Sequence, residues 1–309
     1  MKRPPLVCIV GPTASGKTAL SIAIAKSYGG EIVSADSMQI YQGLDIGTAK
    51  PTEEERAGIP HHMLDVVSPF EEYSVARYVE EATREIDKIL ARGALPIVVG
   101  GTGLYIDALI RGAAFAGFSG DADYRAELTA LLEREGGEAL LGRLAKVDPM
   151  QAKRLHPNDS KRIIRALEVY HTTGKPISAH NEETRDTPPR YNICWIGLTF
   201  QDRTLLYERI DTRVDAMLQT GLREELARVK TLGLSREATA MQAIGYKELW
   251  EEDAGSVERL KQATRRYAKR QLTWFRRNPE IHWINVDTTK KFAEILQAST
   301  DSMKNCGIL

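Results

Sequence analysis

Apolar residues come in five short, nearly continuous runs along the chain, and each run predicts a β-strand. The runs cover residues 6–10, 31–35, 96–100, 191–200 and 281–286. Strands that helices cover on both faces have this continuous pattern, whereas strands with one solvated face alternate between apolar and polar positions. Stretches with helical periodicity lie between the runs. This alternation predicts an α/β fold with a doubly wound parallel sheet.

Residues 116–189 interrupt this pattern. They contain no strand-like run, and DYRAELTALLERE and RIIRALEVYHTTG carry helical periodicity ahead of a turn-rich segment. We therefore predict a core domain formed by residues 1–115 and 190–309, and a helical insertion domain formed by residues 116–189. The polar end of the chain, from about residue 299, is expected to fray.

Composition narrows the class of protein only a little. The chain has 309 residues with 42 Lys plus Arg and 42 Asp plus Glu, so a surface that binds a polyanion must be local. Three widely spaced cysteines argue against a disulfide framework and a C-x-x-C zinc site. No apolar stretch approaches the roughly 18 residues that a membrane span needs, and the N-terminal run has no cleavage site. A cytoplasmic protein without a membrane span is expected.

The first apolar run leads into GPTASGKT, which fits the phosphate-loop pattern G-x-x-x-x-G-K-[ST]. Backbone N–H groups of such a loop surround an anion, and the following helix adds the positive end of its dipole. Lys17 adds a mobile charge, and the Thr18 hydroxyl is placed to bind Mg²⁺. We predict a core like that of P-loop NTPases, in which these residues bind a polyphosphate: Gly11, Pro12, Thr13, Ala14, Ser15, Gly16, Lys17 and Thr18.

The second run leads to Asp36, which places a carboxylate at the carboxyl edge of the sheet, where ligands bind in doubly wound folds. This carboxylate could bind magnesium, act as a general base or cap the following turn. A dense polar segment follows it, and Ser37, Gln39, Tyr41 and Lys50 favour a wall of a binding site over a solvated turn.

The third run ends in GGTGLY at residues 100–105. The glycines permit either the close approach of a ligand or another chain segment, or tight packing of a helix on the strand. An NTPase would be better supported if this run ended in an acid, and it does not.

Six segments together resemble the tRNA dimethylallyltransferases of the bacterial type, also called tRNA isopentenyltransferases. They follow one another in the order of that family: GPTASGKT, DSMQIYQGLDIGTAKP, PHHMLD, GGTGLY, HPNDSKRIIRALEV and AIGYKE. The resemblance extends from about residue 6 to about residue 278. It implies that the loop holds dimethylallyl diphosphate rather than ATP. It also implies transfer of the prenyl group to N6 of the adenosine immediately 3′ of the tRNA anticodon, position 37, with release of pyrophosphate.

The implied chemistry assigns roles to individual residues. The N6 amine is a weak nucleophile because its lone pair is delocalised, so a carboxylate that accepts its proton assists the reaction. Asp36 is the candidate general base. The resemblance implies that Thr13 contacts the bridging oxygen of the leaving pyrophosphate, while Lys17, Mg²⁺ near Thr18, and Arg213 balance the remaining charge.

A formally neutral enzyme that binds tRNA needs a local basic surface. Residues 259–277 contain eight basic residues and no acid. Their apolar spacing predicts a helix with a buried stripe, which leaves Arg259, Arg266, Arg270 and Arg277 on the opposite face. An unmixed basic face favours phosphate binding over a merely solvated surface.

The insertion contains HPNDSKRIIRALEV, in which Asn158 or Asp159 is predicted to cap a helix that begins near Ser160. Basic residues in its first turns oppose the helix dipole, and an anionic partner would compensate them. His61 and His62 are expected to be structural, because no partner acid or ligand spacing accompanies them. The resemblance implies tRNA contacts for Asp36, Ser37, Met38, Gln39, Thr102, Arg125, Ser160, Lys161, Arg162 and Arg165.

Three other interpretations stay open. A P-loop kinase or ATPase would turn over ATP without tRNA. A prenyltransferase of free AMP or ATP would need neither the insertion nor the basic helix. A non-catalytic RNA-binding module would have no use for Thr13, Lys17, Thr18 and Asp36 together. Nothing in the sequence indicates an obligate dimer, so a monomer is expected.

Overall fold

The strands formed by the described residues run parallel in one six-stranded sheet. The structure is a computed structural model, and it describes residues 3–111, 121–186, 188–288 and 291–309. The strands are β1 Pro5–Val10, β2 Gly30–Ser34, β3 His61–His62, β4 Leu95–Gly100, β5 Asn192–Thr199 and β6 His282–Asn285. Their spatial order is β3-β2-β4-β1-β5-β6, with every neighbouring pair parallel. The predicted α/β fold with a parallel sheet is confirmed.

Helices connect these strands, and polar side chains set the start of several of them. The Ser74 side chain accepts a hydrogen bond from the Arg77 backbone N–H where α3 begins, and Asp121 caps α5 in the same way. In chain order the described helices are α1 Lys17–Tyr28, α2 Glu53–Arg56, α3 Val75–Ala91, α4 Gly103–Arg111, α5 Ala122–Val147, α6 Pro149–Ala152, α7 Ser160–Thr173, α8 Ile177–Asp186, α9 Arg203–Gln219, α10 Leu222–Thr231, a 3₁₀ helix Thr239–Gln242, α11 Tyr246–Leu249, α12 Ser256–Phe275 and α13 Phe292–Asn305.

Strand β1 shows why the apolar runs are continuous. Leu6, Cys8 and Val10 face one side of the sheet, where residues of α3 and α4 pack against them. Val7 and Ile9 face the other side and pack with residues of α1 and α13. All five side chains are fully buried. Because helices cover both faces, no position of this strand is left for a polar residue.

Two elements differ from what the sequence predicts. Strand β3 pairs with β2 at the edge of the sheet, and its two histidines are only half-buried, so no apolar run marks it. The expectation that the chain frays from about residue 299 is wrong, because α13 continues to Asn305 and buries Ser299 and Met303. The polar residues of this segment lie on an amphipathic helix that has a narrow buried face.

The chain divides into two compact units. The core unit comprises Met1–Ile110 and Arg190–Leu309, and the helical unit comprises Arg111–Pro189. The core unit contains the sheet. The described residues of the helical unit form α5 to α8 around an apolar cluster of their own. The predicted boundary between residues 115 and 116 lies outside the described residues.

Candidate active site

A cavity of about 290 Å³ lies in the core unit at the carboxyl ends of β1, β2 and β4. The loops that follow these strands contribute Thr13, Asp36 and Gly101 to its wall, and helices α9 and α12 contribute Arg213 and Gln271. Ligands of doubly wound sheets bind outside this edge. Among the described residues that line the cavity, Asp36 is the only one with a carboxylate.

The phosphate loop extends from the end of β1 to the first turn of α1. Gly16 has a φ of 93°, a left-handed conformation that favours glycine, and α1 begins at the next residue, Lys17. The Lys17 ammonium donates to the carbonyls of Gly11 (3.0 Å) and Pro12 (2.7 Å). Burial, followed by the charge of Arg213, lowers the pKa of Lys17 to about 7. A bound anion would therefore favour the charged form of this side chain.

Three further residues of the loop differ in accessibility. Ala14 is buried in an apolar cluster with residues of α9 and α12. The Ser15 hydroxyl is buried and has no hydrogen-bond partner among the described residues. Thr18 is exposed and lines the cavity. Of these two hydroxyl residues, only Thr18 lines the cavity, and its hydroxyl can bond to phosphate or to a hydrated cation.

Thr13 is held from two sides. Its backbone N–H donates to Oε1 of Gln271 (2.8 Å), and its hydroxyl oxygen accepts from Nη1 of Arg213 (3.4 Å). Burial lowers the pKa of Arg213. Arg209, one turn earlier on α9, donates to the carbonyl of Ala14 (2.9 Å). Arg209 and Arg213 of α9 therefore both contact the phosphate loop.

The Asp36 carboxylate both caps a turn and lines the cavity. Its Oδ1 accepts from the backbone N–H of Met38 (2.9 Å), as an Asp at the start of a turn ordinarily does. Burial raises its pKa, and this effect outweighs the opposing effects of the Met38 N–H and of the charges of Lys17 and Arg213. A carboxylate with a raised pKa that faces a cavity is suited to accept a proton.

The turn after β2 forms the rest of this wall, and Ser37, Met38 and Gln39 line the cavity. Thr102 supports Ser37 from the end of β4. Its hydroxyl oxygen accepts from the Ser37 N–H (3.0 Å), and its hydroxyl donates to Ser37 Oγ (3.3 Å). The Gln39 amide donates to two backbone carbonyls of residues 48–49 (3.2 and 3.1 Å). The turn is therefore cross-linked on both sides.

Lys50 lies elsewhere than predicted. Its buried ammonium donates to the carbonyl of Tyr41 (2.9 Å) and pairs with the carboxylates of Asp45 (2.6 Å) and Asp65. Tyr41 is fully buried as well. Neither Lys50 nor Tyr41 lines the cavity, so the prediction that they form its wall is wrong. The ammonium instead joins three segments of the loop region through charge-assisted hydrogen bonds.

The site contains residues that the sequence did not single out for it. Gln271 and Tyr267, one turn apart on α12, line the cavity. Glu225 of α10 accepts from the backbone N–H groups of residues 45–47 at 2.8 to 2.9 Å and from the hydroxyl of Tyr246 (2.6 Å). It therefore anchors the DIGT segment beside the cavity. A polar residue at a buried position of an apolar helical stripe is the signal that could have found Gln271 and Glu225.

Helix α12 has a smaller basic face than predicted. Arg259 pairs with an aspartate before the helix at 2.9 Å, so the prediction of an unmixed basic face is wrong at the start of the helix. Lys261 and Arg265 each pair with a carboxylate of α9 at 2.7 Å, which balances two more of the eight basic residues. Arg266, Lys269 and Arg270 are exposed and have no ion-pair partner among the described residues. Arg270 also lines the cavity. A stretch that contains no acid in sequence can still pair with acids, because a neighbouring helix that packs against it supplies them.

In the helical unit, the basic residues predicted to contact tRNA lie on α5 and α7, and α7 begins where predicted. Arg125 makes two hydrogen bonds to the buried carboxylate of Glu168 (2.6 and 2.8 Å). Arg165 lies 3.9 Å from the same carboxylate. Lys161 and Arg162 are exposed on the first turn. The charges of Arg125 and Arg165 are thus partly balanced within the unit.

His61 and His62 have different partners. His62 lies between the carboxylates of Glu31 (2.7 Å) and Glu85 (3.3 Å), so the expectation that no acid accompanies the pair is wrong for this residue. His61 lines the cavity, and its Nδ1 lies 2.8 Å from the carbonyl of Ile59. The other ring nitrogen of His61 is buried and without a hydrogen-bond partner among the described residues. Burial lowers the pKa of His61.

The described part of the chain contains no group of three or more His, Cys, Asp or Glu side chains that could hold a metal ion by themselves. None of its helices is long and apolar enough to cross a membrane.

Known proteins of similar sequence include several named tRNA dimethylallyltransferase. A family model described as IPP transferase matches residues 39–278, well over half of the chain. The tRNA dimethylallyltransferase of Acetivibrio thermocellus is 51% identical over 288 residues, which cover 91% of this chain and 92% of that protein. The tRNA dimethylallyltransferase of a Thermoanaerobacter species is 48% identical over 297 residues, which cover 94% of each protein.

Solved structures give the same answer. The tRNA isopentenylpyrophosphate transferase of Bacillus halodurans is 42% identical and has a TM-score of 0.72, with coverage of 99% of this chain and 98% of that chain. A eukaryotic dimethylallyltransferase that acts on tRNA is 29% identical and has a TM-score of 0.82, with coverage of 99% and 79%. The resemblance carried by the six sequence segments is thereby confirmed. This chain belongs to the tRNA dimethylallyltransferase family, a family of prenyl-transferring enzymes.

Proposed function

We propose that this chain transfers the dimethylallyl group from dimethylallyl diphosphate to N6 of adenosine 37 in tRNA, immediately 3′ of the anticodon, and releases pyrophosphate. The content of one cavity carries this proposal. Thr13, Lys17 and Arg213 place a hydroxyl and two cations beside a single carboxylate, that of Asp36. This set matches a leaving diphosphate and an amine that must lose a proton. The tRNA dimethylallyltransferases related to this chain support the same reaction.

The phosphate loop suits a diphosphate whatever group is attached to it. Backbone N–H groups and the amino-terminal end of α1 recognise phosphate oxygens, and Lys17 and Arg213 add positive charge. An ATPase would be better supported by an acid at the end of β4, where this chain has Gly100 and Gly101. The proposed diphosphate-binding residues are Gly11, Pro12, Thr13, Ala14, Ser15, Gly16, Lys17, Thr18 and Arg213.

Mg²⁺ is the proposed cofactor, and the exposed hydroxyl of Thr18 is its proposed protein ligand. The described residues contain no cluster of acids or histidines that could hold the ion alone. The diphosphate and water must therefore supply the other ligands, as is usual for Mg²⁺ bound to phosphates. The residues of the loop fit an ion shared in this way. When bound, Mg²⁺ supplies positive charge that stabilises the leaving group.

The proposed reaction forms one bond and breaks one. The N6 nitrogen attacks C1 of the dimethylallyl group while the bond from C1 to the diphosphate oxygen breaks. Asp36 accepts the proton that N6 loses. The Thr13 hydroxyl donates to the oxygen that receives the electron pair, and Lys17 and Arg213 balance the added charge. Arg213 donates to Oγ1 of Thr13, so the hydroxyl hydrogen is free to point at that oxygen.

A base of tRNA must leave its stack to reach this cavity. Exposed cations without an acidic partner, such as Arg266, attract the tRNA phosphates that flank this base. We also propose that the protein acts in the cytoplasm, because its proposed substrate is tRNA, and that it acts as a monomer. The proposed tRNA contacts are Asp36, Ser37, Met38, Gln39, Thr102, Arg266 and Arg270 in the core unit, and Arg125, Ser160, Lys161, Arg162 and Arg165 in the helical unit.

Incubation with radiolabelled dimethylallyl diphosphate tests the proposed function, with unmodified tRNA, AMP and ATP offered separately. We expect label on tRNA and none on the nucleotides. A tRNA with guanosine at position 37 is the matched control and should take up no label. Label on AMP or ATP would instead identify a prenyltransferase of free nucleotides, and ATP hydrolysis without tRNA would identify an ATPase.

The Lys17 ammonium is expected to make diphosphate binding depend on pH. Because burial lowers its pKa to about 7, Lys17 of the free enzyme is largely neutral above that pH. A bound diphosphate favours the charged form of Lys17, so binding requires the neutral side chain to take up a proton. The free-energy cost of this uptake increases as pH rises. We expect KM for dimethylallyl diphosphate to rise about tenfold between pH 7 and 8.5 in steady-state assays. Lys17→Arg keeps its charge across this range and should flatten the slope, whereas a flat slope in the wild type would contradict the assignment.

The exposed cations of α12 are expected to bind tRNA phosphates. Replacing Arg266 and Lys269 with Gln should weaken tRNA binding. It should also make the slope of log affinity against log salt shallower by up to about two contacts, at somewhat under one unit each. Neither residue lines the cavity, so kcat at saturating tRNA should change less than about twofold. Arg270 is left out of this pair because it reaches the cavity. Lys304→Gln, on α13 at the opposite face of the sheet, is the control, and an unchanged slope would make α12 a merely solvated face.

A further inference from the structure

Gln271 is a buried polar residue on α12 that bonds to two separate loops. The residue is only 4% exposed to solvent. Oε1 accepts from the backbone N–H of Thr13 (2.8 Å), and Nε2 donates to the backbone carbonyl of Gly101 (3.1 Å). A buried amide has to satisfy both ends, and these two bonds do so. One side chain therefore joins the phosphate loop after β1 to the glycine-rich loop after β4.

The surroundings allow this amide one orientation. The Thr13 N–H can only donate and the Gly101 carbonyl can only accept, so the oxygen and nitrogen of the Gln271 amide cannot be exchanged. A Cβ atom on Gly101 would lie 2.0 Å from Nε2 of Gln271, so glycine is required here to admit the amide. The second glycine of GGTGLY thus makes room for a side chain of α12.

These bonds orient Thr13. Its backbone N–H donates to Gln271, so this group is already satisfied without a ligand. Its hydroxyl oxygen accepts from Arg213 on α9 (3.4 Å). Contacts from two helices therefore fix both the backbone and the side chain of the residue that faces the leaving group. A displacement of about 1 Å in such a group lowers a rate by about two orders of magnitude.

We infer that Gln271 is a positioning residue for prenyl transfer, which holds the Thr13 hydroxyl in line with the bridging oxygen of the diphosphate. This inference rests on the function proposed above. Gln271 acts through Thr13 and not on the substrate. Its loss should therefore matter only while Thr13 has a hydroxyl to be aimed.

A double-mutant cycle tests this dependence with single-turnover assays at saturating substrates. Gln271→Met keeps the length of the side chain and removes both hydrogen bonds. We expect it to lower the rate about 10- to 100-fold and to change KM for tRNA less than about twofold. In a Thr13→Ala background the same replacement should cost no more than about twofold. Losses that multiply in the double mutant would overturn the inference, as would a Gln271→Met enzyme with the wild-type rate.

Two further variants separate positioning from general damage to the fold. Phe275→Leu alters a buried residue one turn further along α12. Phe275 packs in the apolar cluster that contains residues of α3 and α4. The replacement should lower the unfolding midpoint and leave the rate unchanged. Gly101→Ala displaces the Gln271 amide without removing it, and it should show the same dependence on Thr13 if Gln271→Met fails to fold. A wild-type enzyme that prenylates no tRNA would overturn the proposed function itself, which distinguishes that failure from a failure of the cycle.

Discussion

Replacing Asp36 with Asn is expected to lower kcat for prenyl transfer at least about 10²-fold. Asn keeps the shape of the side chain and can still accept the hydrogen bond from the Met38 N–H, so the turn after β2 should keep its structure. It cannot accept a proton from N6. Equilibrium binding of tRNA and of dimethylallyl diphosphate should therefore stay close to wild type, and single-turnover rates with labelled diphosphate measure the loss.

The raised pKa of Asp36 adds a second signature to this variant. Protonation of the carboxylate removes the base, so kcat of the wild type should fall as pH drops through the raised pKa. That acid limb should be absent from the Asp36→Asn profile. Asp301→Asn, on an exposed position of α13, is the matched control and should leave rate and profile unchanged. Turnover at the wild-type level in Asp36→Asn would remove this residue from the role of base.

Replacing Thr13 with Ala is expected to lower kcat about 10- to 10³-fold, the usual range for one lost hydrogen bond to a developing negative charge. The backbone N–H of residue 13 remains, so its bond to Gln271 should survive and the loop should keep its course. The loss should appear in kcat more than in the KM values, because the bridging oxygen gains its charge only as the bond breaks.

Thr13→Ser is the matched control for this prediction. Serine keeps the hydroxyl and should retain most of the activity that Thr13→Ala loses. If Thr13→Ala changed the affinity for tRNA alone, the hydroxyl would belong to the RNA site and not to the leaving group. A melt followed by circular dichroism shows whether either variant unfolds earlier than the wild type.

The long strands of the sheet could be predicted because their signal is local. Each of the five apolar runs overlaps a strand, since burial on both faces leaves a continuous apolar run that needs no distant information. The phosphate loop is equally local, because its glycines and the helix that follows are consecutive in sequence. Strand β3 and the buried face of α13 were not predicted, because a two-residue edge strand and a narrow apolar stripe leave almost no hydrophobic pattern in the sequence.

The candidate site was predictable only in part. The residues that follow strands, such as Lys17 and Asp36, line the cavity as their positions at the carboxyl edge suggest. Lys50 does not, because two carboxylates and a carbonyl hold its ammonium in a buried cluster. The basic stretch of α12 was overcounted because the acids that pair with Lys261 and Arg265 lie on α9, far away in sequence.

The sequence by itself determined the fold class, the phosphate loop and the family, because each depends on residues that are consecutive or ordered along the chain. Only the tertiary structure decided which side chains meet around Thr13. Arg213 lies 200 residues from it and Gln271 lies 258 residues from it. Hydrogen bonds over such separations depend on how α9 and α12 pack beside the phosphate loop, and no local pattern encodes that packing. The cavity is therefore formed by the tertiary fold. The sequence shows which types of residue are available for it, but not which of them contact one another.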